Sequence, residues 1–474
     1  MKKIYKYIAL IVTPLCLMIT ACDEDLPKNV ESNDFTILES ISIVNAGLNG
    51  DSTVMGKVDE IAKKVSFPSL KEGTVLDKMR FEVKLSQGAQ MDAETYDFTM
   101  NEGDRKKSRI LTVSNGKRYR EYMATISYPQ FGADFSPQNS RIFDYSSNPL
   151  GQDMYPDFGA MSTRSAAFDG EHALIVSRLA ESSLHLLKLE DIIANKAAPN
   201  KINLDRTGIA GGTYTISSGA LAHKHIYVCN LTTAFATSPL KLYHWESPSA
   251  TPQLILEVKA LEGAGARYGD NMSVNIDEKG NGYIFFGDLA STRMLRFEVA
   301  NFTEVSATPK IISLQASAPE KDLGAWMTYN QVPGTSNYLN TSYASPIMLV
   351  DADKNVIYTM KATAGIPLQC VDARILEFNN ERYLLATTAR RAEPNPFPTV
   401  YIYNISNGET IQDALENLDN RETIEPVFSF SLNGLNNGAP GTNTGWAIVD
   451  SKLYVFGSSA NAGFAVFEFP ENAD

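Results

Sequence analysis

The sequence predicts an all-β protein, a small β-sandwich followed by a β-propeller of six blades, with seven as the alternative count. Three observations predict it. Strand-like runs with period-two alternation, such as Met79-Phe81-Val83-Leu85, fill residues 35–128. Beyond them a strand–turn–strand pair recurs six times, with turns at Asp169, His223, Glu278, Pro333, Asn379 and Asp450, spaced by 54, 55, 55, 46 and 71 residues. Five of these units continue to a fourth strand and the sixth does not, while one spare strand, "SRIFDYSS" (140–147), precedes the first. Pairing that strand with the last unit closes a ring.

The elements follow in order. Residues 1–21 read as an export signal: Lys2, Lys3 and Lys6 form a basic start, and Ile8 to Ile19 an apolar run too short to span a bilayer comfortably. Ile19-Thr20-Ala21-Cys22 resembles a bacterial lipobox, which implies that Cys22 is lipidated and becomes the mature N-terminus. An ordinary export signal with an unmodified thiol is the alternative. Asp23, Glu24 and Asp25 resemble the acidic tag of surface-exported Bacteroidetes lipoproteins. The resemblance implies a lipid anchor in the outer membrane and exposure at the cell surface. Residues 22–34 read as a polar tether.

Between 35 and 128 the expected strands are "LESISIV", "KKVSFPS", "DKMRFEVKLS", "RKKSRILTVSNG" and "REYMATISYP". This unit resembles the immunoglobulin-like N-terminal modules of Bacteroidetes surface lipoproteins, which implies a spacer. Residues 129–137, "PQFGADFSP", read as a linker, and 138–474 as the propeller, whose "IYVCN" segment resembles a YVTN-type propeller repeat. The longest step contains "ETIQDALENLDN", an amphipathic pattern that predicts a short helix in a surface insertion. Once Cys16 leaves with the signal and Cys22 is assigned, Cys229 and Cys370 remain. Both sit in strand-like runs that predict buried free thiols, with a disulfide open as the other reading.

Composition narrows the function classes. A net charge of -13 with no long Lys/Arg cluster argues against a nucleic-acid partner. No motif implies a cofactor or a metal. "DADKNV" (Asp351, Asp353, Asn355) begins like a calcium loop but has Val356 and Ala362 where Gly and the bidentate Glu belong. His223 and His225 alone do not make a zinc site. Gly263, Gly265 and Gly269 lack the dinucleotide spacing, and no G-x-S-x-G elbow occurs.

What stands out is the Gly-rich entry loop before each innermost strand, where a propeller opens its central channel. These loops and strand starts carry Arg164, Arg267, Tyr268, Asp270, Asn271, Trp326, Asp372, Arg374 and Trp446. Arg164 and Arg374 both stand five residues before a turn, in two blades. Two converging guanidiniums suit a carboxylate, sulfate or phosphate. Pairing of Arg374 with Asp372 or Asp270 competes with that reading. Trp326 and Trp446 stand at similar places and suit a sugar ring, or packing between blades. Asp270 and Asp372 are the carboxylates an acid–base mechanism would use.

The expectation is a non-enzymatic, surface-anchored protein that binds a glycan, or a partner among outer-membrane transport proteins, through its propeller. Its place in nutrient uptake is implied by the resemblance alone. Two alternatives stay open: a propeller hydrolase or lyase acting on an acidic polysaccharide, and a scaffold with no small ligand.

Overall fold

A computed structural model describes residues 35–127 and 140–470, apart from 48, 69, 71–73, 101–105, 160–161, 179–183, 290–292, 315–325, 344, 362–364, 367–368, 380, 395, 409 and 440. The expected export signal, Cys22, tether and linker lie outside the described residues. The chain forms two compact units that divide between Gln130 and Phe131.

The first unit is a hydrogen-bonded path of eight strands: Gln90–Met91, Lys106–Asn115, Arg118–Ser127, Lys64–Ser66, Ser52–Asp59, Leu38–Ala46, Met79–Leu85 and Thr95–Tyr96. All pairs are antiparallel except Lys64–Ser66 against Arg118–Ser127. Period-two alternation aims Ile41, Ile43, Leu111, Val113, Tyr122, Ala124 and Ile126 into one apolar core. The five expected strands are all present. Ser52–Asp59 was not expected, because none of its residues is buried and Gly56 interrupts it. Gly56 is required there: a Cβ would come within 2.6 Å of the Phe67 ring.

The second unit is a ring of six sheets. The innermost strands are Thr163–Phe168, Tyr214–Ala222, Ser273–Ile276, Thr328–Gln331, Cys370–Phe378 and Thr442–Val449, each beside the next and the sixth beside the first. This is a six-bladed propeller. Each seam between neighbouring blades holds one apolar cluster. Alternation divides a strand between two seams: in His225–Leu231 of blade two, Ile226 and Val228 face blade one while Tyr227 and Cys229 face blade three. Both faces of such a strand are buried, so it reads as a continuous apolar run.

The helix expected in the long step exists as Ile411–Asp419, capped by Thr410 and Asp413 in a reciprocal capping box. It is more than a surface insertion, since Ala414, Leu415 and Leu418 pack into the seam between blades four and five. "DADKNV" is a plain turn in which Asp351 accepts the amides of Asp353 and Asn355. His225 lies 2.7 Å from His244 and stacks on Phe302, so it is spent on packing. Cys229 and Cys370 are free and buried in seams. Burial pushes the Cys229 thiol up to about 12.

The spare strand closes the ring. Arg141–Ser146 pairs antiparallel with Gly463–Phe469 and becomes the outermost strand of blade six. Glu468 stitches the join: Lys452 donates to it at 3.0 Å, Tyr454 at 2.8 Å and Arg141 at 3.4 Å. Burial pushes its carboxyl up, but Lys452, Tyr454 and Arg141 outweigh that and hold it below the ordinary value. A depressed carboxylate stabilises the fold above its unfolded pKa, and that contribution fades as pH falls through the folded one. We therefore expect Glu468→Gln to lose about 1–3 kcal/mol near neutrality and less in acid. Thermal melts across the acid range check this, and parallel pH slopes for the two proteins would refute it.

Candidate functional site

One end of the ring carries the described parts of the entry loops together with those of the turns between second and third strands. Arg164 is the second residue of blade one's innermost strand, and Arg178 directly follows that blade's second strand. β-Pairing sets them close together: Thr163 faces Ser177, and the Arg178 amide donates to Ser162 O at 2.9 Å. The Arg164 guanidinium reaches across to donate to Ala439 O in the entry to blade six. Arg178 donates to Ser217 Oγ at 2.7 Å and lies 4.1 Å over the Tyr214 ring, both in blade two.

Blade three's entry loop completes the group. Arg267 grips Asp270 with two bonds, Nε to Oδ2 at 2.6 Å and Nη2 to Oδ1 at 2.8 Å. Arg178 Nη2 stands 3.8 Å from the same carboxylate. The loop is closely packed. Gly269 has φ +95°, and a Cβ there would sit 2.0 Å from Asn230 O. At Gly265 a Cβ would lie 1.7 Å from Asp288 Oδ2. At these two positions the glycines serve geometry.

The electrostatics are lopsided. Arg164, Arg178 and Arg267 share one carboxylate, which leaves two positive charges in excess among the described residues. Burial lowers the pKa of Arg164, and the charge of Arg267 adds to that against the pull of Asp270. Burial first, and Arg164 second, bring Arg178 down to about 10, so it stays protonated at neutral pH. The Nε atoms of Arg164 and Arg178 and the Oδ1 of Asn271 are buried with no hydrogen-bond partner among the described residues. Arg267 and Tyr214 remain partly open to solvent.

Arg374 does not join this group. Its Nη2 lies 3.8 Å from Asp372 Oδ2 in blade five. Nor is it the counterpart of Arg164: Arg374 pairs with Leu385, whereas Arg164 lies in an irregularity between the Thr163↔Ser177 and Ser165↔Val176 pairs. Counting back from turns fails across such a bulge. Asp372 is buried, with Oδ1 accepting from Asn330 Nδ2 at 2.6 Å in blade four and Oδ2 from the Thr444 amide at 2.8 Å in blade six. It rivets three blades.

Residues 24–472 match the family described as "Domain of unknown function (DUF4623)". The chain belongs to the DUF4623 family. A DUF4623 family protein from Bacteroides eggerthii DSM 20697 has a solved structure that is 35% identical, with a TM-score of 0.73, covering 93% of this chain and 99% of that one. A calcium-binding protein, regucalcin, from Agrobacterium tumefaciens str. C58 is 12% identical at a TM-score of 0.39, over 73% of this chain and 96% of its own. An endo-arabinase from Bacteroides thetaiotaomicron VPI-5482 is 10% identical at 0.32, over 67% and 95%. No curated protein matches the sequence.

The remaining expected residues of this DUF4623 chain have other employment. Tyr268 is fully buried in the seam between blades two and three, its hydroxyl accepting from the Gly265 amide at 3.0 Å. It latches the loop and cannot touch a ligand. Trp446 packs in the seam between blades five and six. Trp326 precedes its strand while Trp446 lies within one, so the two are not equivalent. Trp326 is buried, with Arg391 4.9 Å over its ring and Tyr343 edge-on. Its aromatic face is already covered. Sequence reading missed Arg178, Tyr214 and Ser217. The available signal was the Arg immediately after "HALIVS", where a second strand ends at the same mouth.

Proposed function

We propose that this DUF4623 chain is a surface-anchored binding protein that captures an anionic ligand at the propeller mouth without chemical conversion. The ligand is an acidic glycan, or an acidic segment of an outer-membrane transport partner. One observation carries the reading: three arginines gathered near one carboxylate, two of them with buried Nε donors that have no partner among the described residues. Buried donors without partners are costly, and a bidentate oxyanion satisfies them while neutralising the excess charge. Asp270 and Asp372 are poor catalytic acids in this arrangement, since one is clamped by Arg267 and the other is sealed between blades. The lipobox-like Cys22 and the acids after it support outer-membrane anchoring and surface display.

Titration calorimetry with uronate, sulfated and neutral oligosaccharides tests the reading. Acidic oligosaccharides are expected to bind, and Arg178→Met and Arg164→Met each to weaken binding about 10–100-fold. Equal binding of neutral sugars, or release of new reducing ends, would overturn it.

A further inference from the structure

One end of the N-terminal unit gathers features that the propeller site does not use. Asn115, at the turn of the Lys106–Ser127 hairpin, donates to Phe35 O at 3.1 Å, so the turn lies where the chain enters the unit. The turn after Ser52–Asp59 reaches the same end, because Glu60 accepts from Tyr122 at 2.6 Å and also pairs with Arg120. Three large apolar side chains stand out here into solvent: Ile61 at 97% exposure, Tyr119 at 69% and Phe35 at 57%. An isoleucine at the tip of a turn is unusual, since Gly, Asn, Asp and Ser are the residues turns favour.

The charges around them are biased. Lys63, Lys64, Lys117, Arg118 and Arg120 outnumber Asp59, Glu60 and Glu121 in a chain whose net charge is -13. Two of those acids are already engaged: Asp59 accepts the amides of Ile61 and Ala62, and Glu60 serves Lys63, Arg120 and Tyr122. Apolar tips ringed by cations match the boundary of an anionic bilayer, where aromatic and aliphatic groups enter the headgroup layer and Lys/Arg meet phosphates.

We propose that this end is a membrane-contact surface that seats on a bilayer bearing anionic phosphate headgroups. The chain's own geometry favours this occupant. Residues 23–34 separate Cys22 from Phe35, a reach of at most about 47 Å, so under the lipid-anchor reading this end stays close to the bilayer. Contact there orients the N-terminal unit on the membrane.

The test uses the chain from Asp23 to Asp474, which carries no acyl group, so a failure here is separate from a failure of the Cys22 reading. The latter is checked by the mass of the N-terminal peptide from the exporting cell. Sedimentation with phosphatidylcholine vesicles, with and without phosphatidylglycerol, is the readout. Binding is expected only with the anionic lipid, to fall with added salt, and to drop about fivefold for each charge removed at Lys117 or Arg118. Ile61→Asp is expected to abolish it. Met55→Asp, at a site 75% exposed in the same unit, serves as control and is expected to leave it unchanged. No sedimentation with either vesicle, equal sedimentation with both, or equal effects of Ile61→Asp and Met55→Asp would overturn the proposal.

Discussion

Asp270→Asn is expected to destabilise the propeller by about 3–5 kcal/mol, the usual consequence of removing one partner from a buried ion pair. The carboxylate is the counter-ion of Arg267 through two short bonds and of Arg178 at 3.8 Å. An amide of the same shape leaves Arg164, Arg178 and Arg267 facing one another with no anion among the described residues. Urea unfolding measures the loss. Two companion results distinguish charge imbalance from a packing defect. Adding sulfate is expected to restore part of the stability of the variant, because an oxyanion replaces the missing charge. Combining Asp270→Asn with Arg178→Met is expected to be less harmful than the two single losses added together. A single variant within about 1 kcal/mol of the parent, inside the range of an ordinary surface change, would refute the account.

Asp372→Ala ranks beside it. The change orphans one buried donor, the Thr444 N–H, at about 1–3 kcal/mol, and takes one of the two bonds of the Asn330 amide, which keeps Ala373 O, so blade five is loosened against blades four and six together. The pH dependence has a definite sign. Burial raises the Asp372 carboxyl, and Arg374 only partly opposes this. A raised carboxyl makes the native state bind its proton more tightly than the unfolded chain does. Its contribution to stability is therefore fullest in acid and shrinks as pH rises through the raised value. The gap between parent and variant should be widest at acid pH and narrow toward neutrality. A gap that widens as pH rises would contradict that assignment.

The contrast between these two carboxylates shows what was legible in the sequence. The architecture was. Strands buried on both faces appear as apolar runs, turns recur at blade spacing, and an unpaired strand at each end of the repeat predicts closure. Each of those signals is local. The mouth depends on residues distant in the chain: Arg164 bonds to a carbonyl 275 residues away, and Asp372 to an amide 72 residues away. Residue type drew attention to Arg164, Arg267 and Asp270, which the fold brings to one end of the ring. It could not reveal that Arg178 joins them, or that a bulge separates the register of Arg164 from that of Arg374. In the N-terminal unit, the parallel pairing of Lys64–Ser66 leaves no local pattern and became visible only in three dimensions.

The strand that closes the ring has a mechanical consequence. Arg141–Ser146 is the first described strand after the N-terminal unit, and its partner Gly463–Phe469 is the last described strand. A pull transmitted along the chain from the N-terminal unit to a load held by the propeller therefore reaches Arg141 before the rest of the ring. Six residues of antiparallel ladder and the bonds at Glu468, all within blade six, bear it before the other five blades feel strain. Under force, blade six is expected to open first, losing its outermost strand while the other five keep their own, an order that single-molecule pulling from the two ends of the chain would read directly. The clasp of the ring is also its leash.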